Sequence, residues 1–136
     1  ELHPSPTLFR ETPGERATGR KWARLFDQEV IVPMTMGFRA GAGRPMFAPR
    51  MSVVSAEAGA ELSAMADEKW RLFDSYLGGS DNIALGRFTF ADLLILAFAN
   101  FGFTVGWKLP QETDNLARFV ATHNQRPCAA IWSQAE

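Results

Sequence analysis

The chain has 136 residues, a length that holds one domain with one core and is too short for two ordinary domains. Its hydrophobic share of 46%, charged share of 21% and net charge of −1 are those of an ordinary globular protein, with no basic block to suit nucleic acid or an anionic membrane. The single cysteine, Cys128, excludes an internal disulfide and fits a reducing compartment, and no apolar run reaches the ~20 residues of a membrane span. The first residues lack the basic-then-apolar pattern of a signal peptide, so a cytoplasmic home is expected.

Residues 1–14 hold Pro4, Pro6, Pro13 and Gly14 and read as an extended arm or linker. The chain begins in this arm without an initiator methionine, as a piece of something longer would. From about Glu15 to Phe38 the pattern is helical: Trp22, Leu25, Phe26, Glu29, Val32 or Pro33, and Met36 recur at steps of three and four. Pro33 should kink or divide this helix, because it cannot donate to the carbonyl four residues back. "RAGAGRPMFAPR", residues 39–50, carries two glycines and two prolines and reads as a mobile loop.

A second helix is expected from about Ser55 to Leu77. Leu62, Ala66, Trp70, Phe73 and Leu77 draw its stripe, Met65, Leu72 and Tyr76 widen it, and Gly78-Gly79 supplies a left-handed stop. A third, about Phe90–Thr104, has no polar face and should be buried all round, with Gly102 and Gly106 ending it. After the loop "WKLPQE", a fourth helix over about Asp114–Asn124 puts Leu116, Phe119, Val120 and His123 on one face. Pro127 can open a fifth short helix, with Ile131 and Trp132 packing inward. No stretch alternates with a period of two. The fold class is all-α, a bundle of about five helices without a sheet, formed by residues 15–136.

"GRFTFADLLILAF", residues 86–98, sets a lone carboxylate at the head of an apolar run. With Thr89 as N-cap, Asp92 is the N3 residue of a capping box, and Phe88 and Leu93 are placed for a hydrophobic staple. A negative charge in the first turn also suits the helix dipole. Thr89 and Asp92 therefore read as a structural cap rather than as catalytic groups.

Other candidates carry little chemistry. His3 lies in the arm, and His123 sits on an apolar helix face as a hydrogen-bonded core-edge residue. Cys128 reads as a small buried residue, and Tyr76 falls on a packing stripe. No His, Cys and Asp set has metal-ligand spacing, so no metal is expected.

"RFTFADLLILAF" resembles the segment that opens the central core helix in the C-terminal domain of cytosolic glutathione transferases. "ELHPSPTL" is similar to that family's interdomain linker, "GERATGRKWARLFDQEV" to its first long C-terminal helix, and "EKWRLFDSYLGG" to the end of its second. "DNLARFVATHNQRPCAA" resembles the helix, Arg-Pro break and final helix that close many bacterial members. The resemblance implies a partner, an N-terminal thioredoxin-like domain, whose sequence is absent here. That domain would hold glutathione, the co-substrate, together with the catalytic Tyr, Ser or Cys. This chain would then contain no catalytic or cofactor-binding residue of its own.

The resemblance also places the second half of the first helix in the wall of an apolar substrate pocket, with Val32, Pro33 and Met36 as candidates, and "GAGRPMF" either flanking it or only linking helices. It implies a homodimer built largely on the first two helices. Trp22, Phe26, Val30, Met65, Trp70 and Tyr76 are more large apolar groups than one core stripe needs. The expected function is substrate binding and dimerisation within a transferase that conjugates glutathione to apolar electrophiles. The alternative is a non-catalytic module of the same fold used for protein binding.

Overall fold

The computed structural model describes residues 7–9 and 12–129, and among them every regular element is helical. Helix α1, Pro13–Phe26, starts on a reciprocal cap: the Glu15 amide donates to Thr12 Oγ1 (3.2 Å), and the Thr12 amide donates to the Glu15 carboxylate (3.2 Å). The helix then widens into a π-helical turn, Asp27–Ile31, where the Val32 amide donates to the Asp27 carbonyl five residues back. Helix α2, Val32–Ala40, continues with Pro33 in its first turn, and the wide turn just before it is where the missing N–H is accommodated. Pro33 thus divides the run without ending it.

This wide turn changes which side chains face inward. The buried positions are Phe26, Val30, Ile31, Pro33, Met34, Gly37 and Ala40. Glu29 and Met36 are only half-buried and Val32 is exposed, so of the positions read from the sequence after Phe26 only Pro33 faces fully inward. Steps of four from Phe26 to Val30 to Met34 drift around a regular helix, and a wider turn keeps them in line. The segment expected as a loop contains a one-turn helix α3, Arg44–Phe47, with Pro45 in its first turn. It is tied down by Arg44 Nη1 donating to the Val54 carbonyl (2.9 Å) and by Phe47 set edge-on to Phe38.

Helix α4, Ala56–Leu77, begins at Ser55, whose hydroxyl accepts from the Ala58 amide (3.2 Å), and ends at Gly78 with φ +50°. Its N-terminal half crosses α2 almost backbone to backbone. A Cβ on Gly59 would lie 2.4 Å from that of Ala40, and one on Gly37 would lie 2.2 Å from Ser63 Oγ. Its C-terminal half supplies Trp70 and Phe73, both packed edge-on against Phe26 at 5.1 and 5.0 Å between ring centroids. Ile95, Ala99, Leu116 and Phe119 complete a core that excludes water.

Helix α5, Phe90–Thr104, runs through that core, and helix α6, Asp114–His123, packs beside it. Its burial is incomplete: Leu94, Phe98 and Phe101 are half-exposed and Phe103 is exposed. Gly102 does not stop it. The bare Cα lets the Trp107 ring and the Met34 methyl close on the helix, and the chain turns two residues later, with Gly106 at φ +84°. Thr113 makes no side-chain cap for α6, and Asp74 of α4 supplies one instead: the Leu116 amide donates to Oδ1 (2.8 Å) and Asn115 Nδ2 to Oδ2 (2.9 Å). A reciprocal amide pair, Asn100 with Asn124 (2.8 and 3.1 Å), locks α5 to the end of α6. A short helical turn follows at 127–129, and Ile131 and Trp132 lie outside the described residues.

Candidate functional site

A groove of about 440 Å³ opens between α1 and α5. Ala23, Phe90, Leu94, Leu8 and Phe9 give it apolar walls, and Gly19 keeps one side low. The N-terminal strand of chain is held there by the Phe90 amide donating to the Leu8 carbonyl (3.2 Å) and by Phe9 stacked on Phe90 at 5.0 Å. Leu8 and Phe9 nonetheless remain 37% and 45% exposed. Arg16, Arg20 and Arg24 line one rim at steps of four along α1, and Arg24 Nη1 pairs with Asp27 at 3.0 Å. A second cavity of about 250 Å³ opens between α2, α4 and the end of α5, with Phe38, Phe101 and Trp107 around it. Trp107 Nε1 donates to Asp67 Oδ1 there (2.9 Å).

Val32, Pro33 and Met36 do not share one cavity. Val32 and Pro33 border a shallow recess of about 220 Å³ with Leu62 and Met65, beside the ion pair of Lys69 Nζ and Glu29 Oε2 (2.5 Å). The Glu29 carboxylate raises the Lys69 ammonium above its ordinary pKa, first by hydrogen bonding and then by charge. Met36 borders a different recess of about 160 Å³, with Arg39, Met51, Ser52, Val53 and Val54.

Asp92 is fully buried at the head of α5 and accepts three hydrogen bonds. The Thr89 amide (2.8 Å) and the Thr89 hydroxyl (2.7 Å) donate to Oδ2, and the Ile83 amide (2.7 Å) donates to Oδ1. The last bond pins the connection between α4 and α5 onto the α5 cap. Phe88 packs on His123, with the Arg126 guanidinium 3.9 Å from the Phe88 ring centroid.

His123 is buried, with Nε2 2.6 Å from the Asp81 carbonyl and Nδ1 accepting from Arg126 Nε (3.3 Å). Those contacts fit the tautomer with hydrogen on Nε2 and leave no face of the ring for chemistry. Tyr76 is exposed and edge-on to Trp22 and Phe73. Cys128 is exposed, contrary to the small buried residue expected, because the turn opened by Pro127 faces it outward. His3 lies outside the described residues. Among the described residues no His, Cys, Asp and Glu side chains are grouped to hold a metal, and no helix is long and apolar enough to cross a membrane.

The profile described as glutathione S-transferase, C-terminal domain, matches residues 36–127, more than half of the chain. The chain belongs to the glutathione S-transferase C-terminal domain family. Among solved structures, that of Gtt2 from Saccharomyces cerevisiae superposes with a TM-score of 0.83 at 24% identity, over 96% of this chain and 62% of that one. That likeness establishes the fold, and the chain spans about three fifths of the length of that relative. No curated protein sequence matches.

For this transferase-family domain, the groove between α1 and α5 is the feature that sequence reading missed. Part of its signal was present: Phe90 and Leu94, one turn apart on α5, lie off the helix's buried positions Ala91, Ile95 and Ala99. The surplus apolar residues noted in the sequence divide. Phe26, Val30 and Trp70 are fully buried, Trp22 is half-buried, and Met65 and Tyr76 stand 52% and 43% exposed on the outer face of α4.

Proposed function

We propose that this chain is the helical domain of a glutathione transferase, and that the groove between α1 and α5 receives a thioredoxin-like domain. The observation that carries the reading is the groove itself: a large apolar concavity with Phe9 and Leu8 uncovered at its edge. An exposed apolar concavity of this kind marks a contact with a partner. In that assembly the thioredoxin-like domain binds glutathione and lowers the pKa of its thiol. The thiolate sulfur forms a bond to an electrophilic carbon, and the leaving group departs with its electron pair. This chain contributes the wall against which the apolar acceptor rests, with Met36 on it.

The outer face of α4 supports a second contact. Met65, Leu72 and Tyr76, with Val32 beside them, form an exposed apolar strip. A two-fold pairing of copies is the commonest way to cover such a strip.

Joining the chain behind a thioredoxin-like glutathione-binding domain tests the docking. The two parts should unfold in one cooperative transition. Gly19 lines the groove and has open space where a Cβ would be, so Gly19→Trp fills the groove without disturbing the core. That variant should split the transition in two. Independent unfolding of the unmodified fusion would refute the docking.

A further inference from the structure

The stretch between the π-turn and α4 has an unusual charge pattern. From Val30 to Ala56 there is no acidic residue, while Arg39, Arg44 and Arg50 are all there. Three of the five methionines in the chain, Met36, Met46 and Met51, also have their exposed or half-exposed side chains in this stretch. The recess of about 160 Å³ lies in its middle, lined by Met36, Met51, Val53 and Val54, with Arg39 and Ser52 as the polar groups.

Arg44 is committed to the Val54 carbonyl and lies beside Glu57, whose pKa is lowered by backbone and Ser55 hydrogen bonds and, less, by the Arg44 charge. Arg39 is different. Its guanidinium carbon lies 5.5 Å from the Phe47 ring centroid, within cation–π reach, and it has no carboxylate partner among the described residues. A cation–π contact of this kind engages the face of the guanidinium and leaves its N–H donors available. The recess therefore combines an apolar slot with polarizable sulfur walls and one fork of N–H donors without a carboxylate partner. A cavity of about 150 Å³ accommodates a benzene ring.

We propose that this recess binds a small organic carboxylate, one aromatic ring or a short alkyl chain in size, with its body against Met36, Met51, Val53 and Val54 and its carboxylate on Arg39. Methionine suits such a ring, because thioether sulfur makes favourable contacts with aromatic edges. A guanidinium and a carboxylate match in shape as well as charge. The inference rests on the transferase reading only for its use: acceptors of the whole protein would then carry a carboxylate as their anchoring group. Binding itself needs neither glutathione nor a second domain, so its failure and the failure of the transferase reading are distinguishable.

The test is a titration of the 136-residue chain with benzoate, read on the methyl resonances of isotopically labelled methionine, with uncharged benzyl alcohol as the comparison. Benzoate should shift the Met36 and Met51 methyls saturably while Met65, on the outer face of α4, stays still. Benzyl alcohol should bind at least about tenfold more weakly, the size of effect expected for a lost hydrogen bond to a charged group. Arg39→Gln should weaken benzoate by a similar factor, and Arg39→Lys should keep part of the affinity. Equal affinity for the two probes overturns the proposal on the unmodified chain alone, whatever the variants do. So does a Met65 shift that tracks Met36, or an Arg39→Gln protein that is folded and binds benzoate unchanged.

Discussion

Replacing Asp92 with alanine removes a fully buried acceptor of three hydrogen bonds and leaves two backbone amides, of Ile83 and Thr89, pointing at the space it occupied. An ordinary N-cap loss costs about 0.5–2 kcal/mol. Here the Ile83 amide is nine residues from the carboxylate in sequence, so the cost is tertiary as well as local. Each buried donor left without a partner costs about 1–3 kcal/mol. Water entering the vacated space recovers part of that, which brings the expected total to about 3–4 kcal/mol. For a domain of this length, a loss of that size lowers the melting temperature by roughly 10–15 °C.

Urea unfolding followed by far-UV circular dichroism measures the effect directly. The midpoint should fall with the slope unchanged, because the surface exposed on unfolding is the same. Asp92→Asn keeps the shape but turns an –NH2 toward one of the three donors, so it should recover only part of the loss. A loss below about 1 kcal/mol for Asp92→Ala would refute the reasoning, since it falls under the penalty of a single orphaned amide.

Three other outcomes are expected. Gly37→Ala should cost about 1–3 kcal/mol in the same assay, because its Cβ would fall 2.2 Å from Ser63 Oγ and 2.9 Å from the Gly59 carbonyl; an unchanged midpoint would mean that α2 and α4 can separate freely. Asp74→Ala should cost about 2–3 kcal/mol and speed amide exchange at the start of α6, where Leu116 loses its acceptor; protection that stays in place there would show that the helix caps itself. If the outer strip of α4 joins two copies, Met65→Asp with Tyr76→Asp should shift sedimentation to a monomer at every concentration tested, whereas a monomeric unmodified protein would remove that role from the strip.

What the sequence disclosed was local. Ser55 and Gly78 bracket α4, and Thr89 with Asp92 open α5, because caps depend on residues three or four apart. After Phe26 the face of the first helix was misread at Glu29 and Met36, though not at Pro33, because one wide turn brings Val30, Met34 and Gly37 inward. Nothing in the spacing of Asp27, Gln28 and Glu29 announces a bond five residues long. The cap that Asp74 lends to α6, and the bond from Ile83 to Asp92, join residues that only the folded chain brings together. The ordered turn of α3 was hidden in the same way. Its glycines and prolines read as a loop, while Arg44 and Phe47 fix it through partners elsewhere in sequence. Of the candidate site, Val32, Pro33 and Met36 were named from a resemblance, and the structure distributes them over two recesses. The groove against α5 needed the three-dimensional arrangement of α1, because half of its lining comes from there.

The central claim is that this chain is the acceptor-binding half of a glutathione transferase. The most direct measurement is the rate of glutathione conjugation to an apolar electrophile, made with the chain alone and with the chain joined behind a thioredoxin-like glutathione-binding domain. The account predicts no rate above the uncatalysed reaction for the chain alone, saturable turnover for the joined protein, and loss of that turnover in Gly19→Trp. A joined protein that binds glutathione but turns over no electrophile would contradict it and would favour a non-catalytic interaction module.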